Sequence, residues 1–198
     1  MNDAAEAILA GKPVILPTDT VYGLVASARG AAPVETLYEV KGRDFWQPSA
    51  LLAADLETLL EWLPELDGRA GVIARALLPG PYTLILSNPA RRYPWITGDN
   101  PETIGVRVPE LPAVVDRILS HVGCVVATSA NLPGGPNPRR VADIPPEILE
   151  RVAVVVDAGE LPGTPSTIID FSGAEPSVVR EGAASSAEAI DRASAALA

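Results

Sequence analysis

Two side chains are nearly absent from this 198-residue chain, which has one cysteine, Cys124, and one histidine, His121. No internal disulfide can form, and the repeated Cys or Cys/His arrays of structural zinc sites are excluded. Lysine is almost as scarce, since only Lys12 and Lys41 accompany 13 arginines. Arginine is preferred where a fixed fork must hold phosphate or carboxylate, although a GC-rich genome produces the same bias without a structural cause. Cations as a whole are outnumbered, 15 against 25 Asp and Glu, for a formal net charge of −10. A protein that wraps a nucleic-acid backbone needs the opposite balance, which leaves room only for a local basic pocket. No run reaches the roughly 18 apolar residues of a membrane span. Residues 1–11 carry Asp3 and Glu6 and no positive segment, so they do not read as a signal peptide. The expectation is a soluble, cytoplasmic protein without a membrane association.

Apolar residues are plentiful at 47%, and 16 glycines with 20 prolines promise many turns. The length fits one domain over residues 1–198. The chain then alternates between two periods. A short helix over 4–11 precedes the apolar run Pro13-Val14-Ile15-Leu16-Pro17, which reads as a buried strand. Val34, Leu37, Tyr38 and Lys41 share one helical face and end at Gly42. A strand at 51–54, a helix capped by Asp55, a helix over about 69–78 and strands at 82–86 and 104–108 follow. The apolar stripe Leu111, Val114, Val115, Ile118, Leu119, Val122 marks the strongest helix, and it leads into a strand at 124–127. Further on come a helix over 145–151 and strands at 152–156, 166–170 and 177–180. The last helix is alanine-rich and starts at Ser185 or Ser186, with Glu188 placed for a capping box. Strands interleaved with helices predict an α/β fold with a mixed, largely buried sheet.

Several short segments offer ligand chemistry, each beside a plainer reading. Thr18-Asp19-Thr20 follows a buried strand, where α/β proteins place ligand groups, but it also fits a simple Asx or ST turn. Lys41-Gly42-Arg43 brings two cations toward one anion, or is an exposed loop. Thr128-Ser129-Ala130-Asn131 offers neutral hydroxyl and amide donors near Gly134 and Gly135, or is a β-to-α turn. Arg107 lies between Val106 and Val108, so it should face solvent, meet a buried anion, or pair with a local acid such as Glu110 or Asp116. Arg180 follows Val178-Val179, and Ser166-Thr167 opens the strand that ends at Asp170.

Taken together and in order, PTDTVYGL (17–24), KGR (41–43), PGPYTLIL (79–86), GVRVP (105–109), ATSAN (127–131), STIID (166–170) and VVREG (178–182) resemble the threonylcarbamoyl-AMP synthase family, with its YrdC-like domain. The resemblance spans about residues 10–185 and matches the short form. It implies a strongly twisted mixed sheet flanked by helices around a concave, electropositive cleft. It implies a nucleotidyltransferase that makes L-threonylcarbamoyladenylate and pyrophosphate from L-threonine, bicarbonate and ATP, for N6-threonylcarbamoylation of tRNA adenosine 37. Matched by motif, Lys41, Arg43, Ser129, Asn131, Asn137 and Arg180 would hold ATP, while Thr18, Thr20, Arg107, Ser166 and Thr167 would line the threonine site. Arg107 would clamp the carboxylate. No residue reads as a covalent nucleophile or a metal ligand, and Mg²⁺ would ride on the phosphates. Hand-off to a tRNA threonylcarbamoyltransferase and a weak tRNA contact are the implied partnerships. Two features depart from the family pattern: Gln47 stands where a second lysine is usual, which would leave a weak point in the phosphate grip, and the net charge is −10. The alternatives are a paralogue that makes another carbamoyl or acyl adenylate and a non-catalytic RNA-binding module.

Overall fold

The computed structural model describes residues 2–198. In chain order the elements are α1 (Asn2–Leu9), β1 (Val14–Pro17), β2 (Tyr22–Ser27), α2 (Ala31–Lys41), β3 (Ala50–Leu52), α3 (Leu56–Trp62), α4 (Gly68–Leu77), β4 (Tyr82–Ser87), α5 (Pro94–Thr97), β5 (Thr103–Arg107), α6 (Ala113–Val122), β6 (Val125–Ser129), α7 (Pro146–Leu149), β7 (Val154–Val155), β8 (Thr167–Asp170), β9 (Ser177–Arg180) and α8 (Ser186–Leu197). Among the described residues, nine strands form one sheet in the order β7-β1-β2-β6-β3-β5-β4-β8-β9. The pairs β1–β7, β3–β5 and β4–β8 are parallel, and the other neighbours are antiparallel. The mixed α/β fold flanked by helices therefore stands as the sequence implies.

Local signals act where they were expected. Asp55 caps α3 by accepting from Thr58 N at 2.7 Å, and Ser185 caps α8 by accepting from Glu188 N at 3.3 Å. Two elements escape the sequence reading. β2 is buried at every position, so it has no alternation to mark it, and Gly23 interrupts its apolar run. α5 is a single turn with a proline at its start, inside the stretch 87–103 that reads as irregular.

The helices divide unequally between the two faces of the sheet. α2, α3, α4, α5, α7 and α8 cover one face and bury Leu37, Leu59, Ile73, Ile96, Ile148 and Ala193 against Leu24, Leu51, Leu84, Val106 and Val126. On the other face α1 and α6 pack Ile8, Ile118, Leu119 and Val122 against Val14, Leu16, Val25, Leu52 and Val125. Each such fully buried Leu or Ile contributes about 1.5–3 kcal/mol. These two helices leave the rest of that face open. The uncovered floor is made of small residues in register: Gly105 lies opposite Ala50, and Ala50 opposite Ala127. The missing side-chain volume makes a hollow in the sheet. Among the described residues, no helix is long and apolar enough to cross a membrane.

Candidate functional site

The open face is a cleft of about 370 Å³. Arg43, Arg107 and Arg180 line it, with Asp170 as the one carboxylate among the described lining residues. The cleft is therefore net cationic in a chain of net charge −10, because its acids lie elsewhere. Thr18, Thr83, Thr128, Ser129, Asn137 and Ser166 add neutral polar groups. Segments spread from residue 18 to residue 180 thus converge on one space.

Each arginine is tethered through Nη2, and two of them through a second nitrogen as well. Arg43 Nη2 donates to Pro48 O at 2.5 Å, and its Nη1 reaches Thr128 Oγ1 at 3.4 Å. Arg180 donates through Nη2 and Nε to Ser166 O at 2.8 and 3.1 Å. Arg107 Nη2 forms an ion pair with Asp19 Oδ1 and donates to Thr20 Oγ1 at 2.7 Å. The partner of Arg107 is thus 88 residues away in sequence, and neither Glu110 nor Asp116 pairs with it. Burial pushes the Asp19 carboxyl above its usual range, and the Arg107 charge opposes that rise. Burial also lowers Arg180, and the nearby positive charge of Arg107 lowers it further. A guanidinium desolvated beside a second cation marks a place where an anion is welcome.

The structure separates the residues assigned from sequence. Thr18, Arg43, Arg107, Ser129, Asn137, Ser166 and Arg180 line the cleft, whereas Lys41, Asn131, Thr20 and Thr167 do not. The expected convergence of Lys41 and Arg43 on one anion is corrected. Gly42, with φ of 66°, turns the chain through the left-handed region at the end of α2 and sends the two side chains to different places. Lys41 runs inward, where its Nζ donates to Ser129 O at 2.6 Å, to Asn131 Oδ1 at 2.5 Å and to Asn131 O. Burial, with Arg43 nearby, pushes its ammonium down to about 8. Asn131 is committed as well, accepting from Ser129 Oγ at 2.5 Å and donating to Gly135 O at 2.6 Å. Thr167 points to the opposite side of β8 from Ser166, and its hydroxyl is occupied by Ala184 O. Ser166 Oγ instead meets Thr83 Oγ1 at 2.8 Å on the cleft side.

Gln47 is exposed and absent from the cleft lining. Its loop is fixed by Phe45 against Tyr38, with ring centres 5.9 Å apart, and by Asp99 N donating to Trp46 O at 3.1 Å. The weak point expected at Gln47 is therefore not in the cleft wall. Asp19, which sequence reasoning leaves without a role, holds Arg107; its one local signal is an acid between two threonines after a buried strand. Neither Cys124 nor His121 reaches the cleft. Cys124 is buried with its thiol pushed up to about 12, and His121 is exposed on α6.

The family model described as Telomere recombination (Sua5, YciO, YrdC) matches residues 6–182. A putative threonylcarbamoyl-AMP synthase of Mycobacterium tuberculosis is 34% identical over 180 residues, covering 90% of this chain and 82% of that protein. A Pyrococcus abyssi Sua5 variant superposes with a TM-score of 0.84 at 32% identity, covering 93% of this chain and 57% of the other. P. abyssi Sua5 complexed with L-threonine gives 0.79 at 31% identity, covering 90% and 53%, and Escherichia coli YciO gives 0.81 at 26% identity, covering 96% and 91%. The chain spans just over half of the P. abyssi chains it matches. On the match over residues 6–182, the 34% identity and the shared fold, this chain is a member of the Sua5/YrdC-like threonylcarbamoyl-AMP synthase family of enzymes.

Proposed function

We propose that the protein makes L-threonylcarbamoyladenylate and pyrophosphate from L-threonine, bicarbonate and ATP. The observation that supports this most is the convergence of three tethered guanidiniums and a set of neutral donors on one cleft. Arg43 and Arg180 are taken as the phosphate-holding cations, with Ser129 and Asn137 as neutral contacts. Arg107 Nη1, which has no hydrogen-bond partner among the described residues, is taken as the donor for the amino acid carboxylate, with Thr18 and Ser166 beside it. Lys41 and Asn131 then act from behind, by shaping the turn that carries Ser129.

In this reading the threonine amine attacks the carbon of bicarbonate, and loss of water gives the carbamate. A carbamate oxygen then attacks the α-phosphorus, and the bond to pyrophosphate breaks. The lining holds hydroxyls, amides and arginines, so the residues act by proximity and by neutralising charge that builds on the phosphates. Magnesium would arrive on the ATP phosphates and supply Lewis-acid charge there. It would need little from the protein, since Asp170 is the one lining carboxylate and already accepts from Ser172 N at 2.8 Å. The product would pass to a tRNA threonylcarbamoyltransferase in the cytoplasm, with at most a weak contact to tRNA.

The test is incubation of the purified protein with ATP, labelled threonine and bicarbonate. Pyrophosphate and a threonine-labelled adenylate are expected, and both should fall when bicarbonate is removed. ATP consumption that needs a different amino acid or acyl donor would favour the paralogue reading. Tight RNA binding with no adenylate would favour the non-catalytic one.

A further inference from the structure

The three cleft arginines are anchored in two chemically different ways. Arg43 and Arg180 are tied to neutral carbonyls, Pro48 O and Ser166 O. A carbonyl removes no charge, so each presents a full positive charge to the cleft. Arg107 is tied to the carboxylate of Asp19, and each side chain of that pair is only 11% exposed. Asp19 Oδ2 is buried with no hydrogen-bond partner among the described residues, and Arg107 is the one cation paired with the carboxylate there. The pair is close to neutral as a unit, yet Nη1 still offers directed N–H donors.

That difference matters when two ligands of unequal charge share one cleft. A triphosphate carries several negative charges, while an amino acid zwitterion has none net. A fully charged Arg107 close to Arg180 would form a dicationic spot, and the triphosphate would compete for it. We propose that Asp19 is the specificity-determining residue of the cleft: by cancelling the charge of Arg107 it reserves that guanidinium for the amino acid and confines the triphosphate to Arg43 and Arg180. The inference rests on reading the cleft as the shared site of ATP and an amino acid, and it concerns how the two are kept apart.

Tripolyphosphate binding, followed by calorimetry across a salt series without amino acid or turnover, provides the test. Asp19→Asn should bind tripolyphosphate about five- to tenfold more tightly than the unaltered protein, with a steeper salt dependence, because one more desolvated cation faces the anion. Asp19→Glu, which keeps the charge, should bind it as the unaltered protein does. Removing one member of a buried pair is costly, so Asp19→Asn is a candidate to misfold. In that event the double variant Asp19→Asn/Arg107→Met, which leaves no unpaired buried charge, carries the test: it should leave tripolyphosphate affinity within about twofold, whereas Arg43→Met and Arg180→Met each lose about tenfold and flatten the salt dependence. Equal or weaker tripolyphosphate binding by folded Asp19→Asn, or a tenfold loss in the double variant Asp19→Asn/Arg107→Met, overturns the assignment. These readings involve no threonine, so a protein that shows them but forms no adenylate would refute the proposed reaction and leave the charge assignment standing.

Discussion

The ammonium of Lys41 stands 2.5 Å from the side-chain oxygen of Asn131, 90 positions further along the chain. This contact ties the end of α2 to the turn after β6, and so supports the hydroxyl of Ser129 in the cleft wall. Arg43, two residues from Lys41, faces the cleft itself. One tripeptide therefore supplies a hidden support and a cleft-lining cation.

Lys41→Ala and Arg43→Ala are each expected to weaken ATP binding at least about tenfold, or roughly 1.4 kcal/mol, by different routes. Arg43→Ala removes a charge that meets phosphate, so its ATP affinity should depend less on salt. Lys41→Ala removes a support, so the salt dependence should persist while the melting temperature falls. Equal ATP titrations for all three proteins, with folding intact by circular dichroism, would reject both roles.

A pH series probes the same lysine. Lys41 titrates near 10.5 when unfolded and at about 8 in the fold. Between those values the unfolded chain binds more protons, so raising the pH favours the folded state. The stability of the unaltered protein minus that of Lys41→Met should be flat below about pH 8 and rise from there toward 10.5. Denaturant titrations at pH 7, 8, 9 and 10 would show it, and a falling difference would contradict the burial of this ammonium.

Gln47→Lys adds a cation on an exposed turn outside the cleft wall. ATP affinity should change by less than about twofold, the scale of a screened surface charge. A large gain with a steeper salt dependence would mean that the loop of Phe45 and Trp46 swings over the nucleotide.

Arg107→Lys keeps a positive charge near Asp19 but cannot both hold Asp19 and Thr20 and present a second planar nitrogen. ATP affinity should stay within about twofold while KM for threonine rises at least about tenfold. A large loss of melting temperature with unchanged threonine affinity would make Arg107 a structural residue.

Gly182 allows the chain after β9 to approach the start of β8. A Cβ there would lie 2.3 Å from Pro165 O and 2.5 Å from the Ser166 carbonyl carbon. Gly182→Ala should cost about 1–3 kcal/mol and weaken ATP binding, because separating these segments moves Ser166 O away from Arg180. Calorimetric melting and an ATP titration check the two effects. A native-like melting temperature would show that the backbone yields without strain.

The sequence by itself determined the parts that depend on near neighbours. The apolar stripe of α6, the Asp55 and Ser185 caps and the left-handed stop at Gly42 are set within one or two turns of chain, so periodicity and residue type sufficed. The ordered motifs were also enough to indicate the family. Only the tertiary structure decided which side of the site each residue serves. It put Ser166 in the cleft and Thr167 behind it, because adjacent strand residues face opposite ways once β8 pairs with β4. It turned Lys41 inward and left Arg43 outside, and it gave Arg107 a partner 88 residues distant. It also revealed β2, whose burial on both faces erases the alternation that marks a strand. Strand order brings these groups together across long loops, and no local pattern in the chain encodes which distant strand will lie alongside.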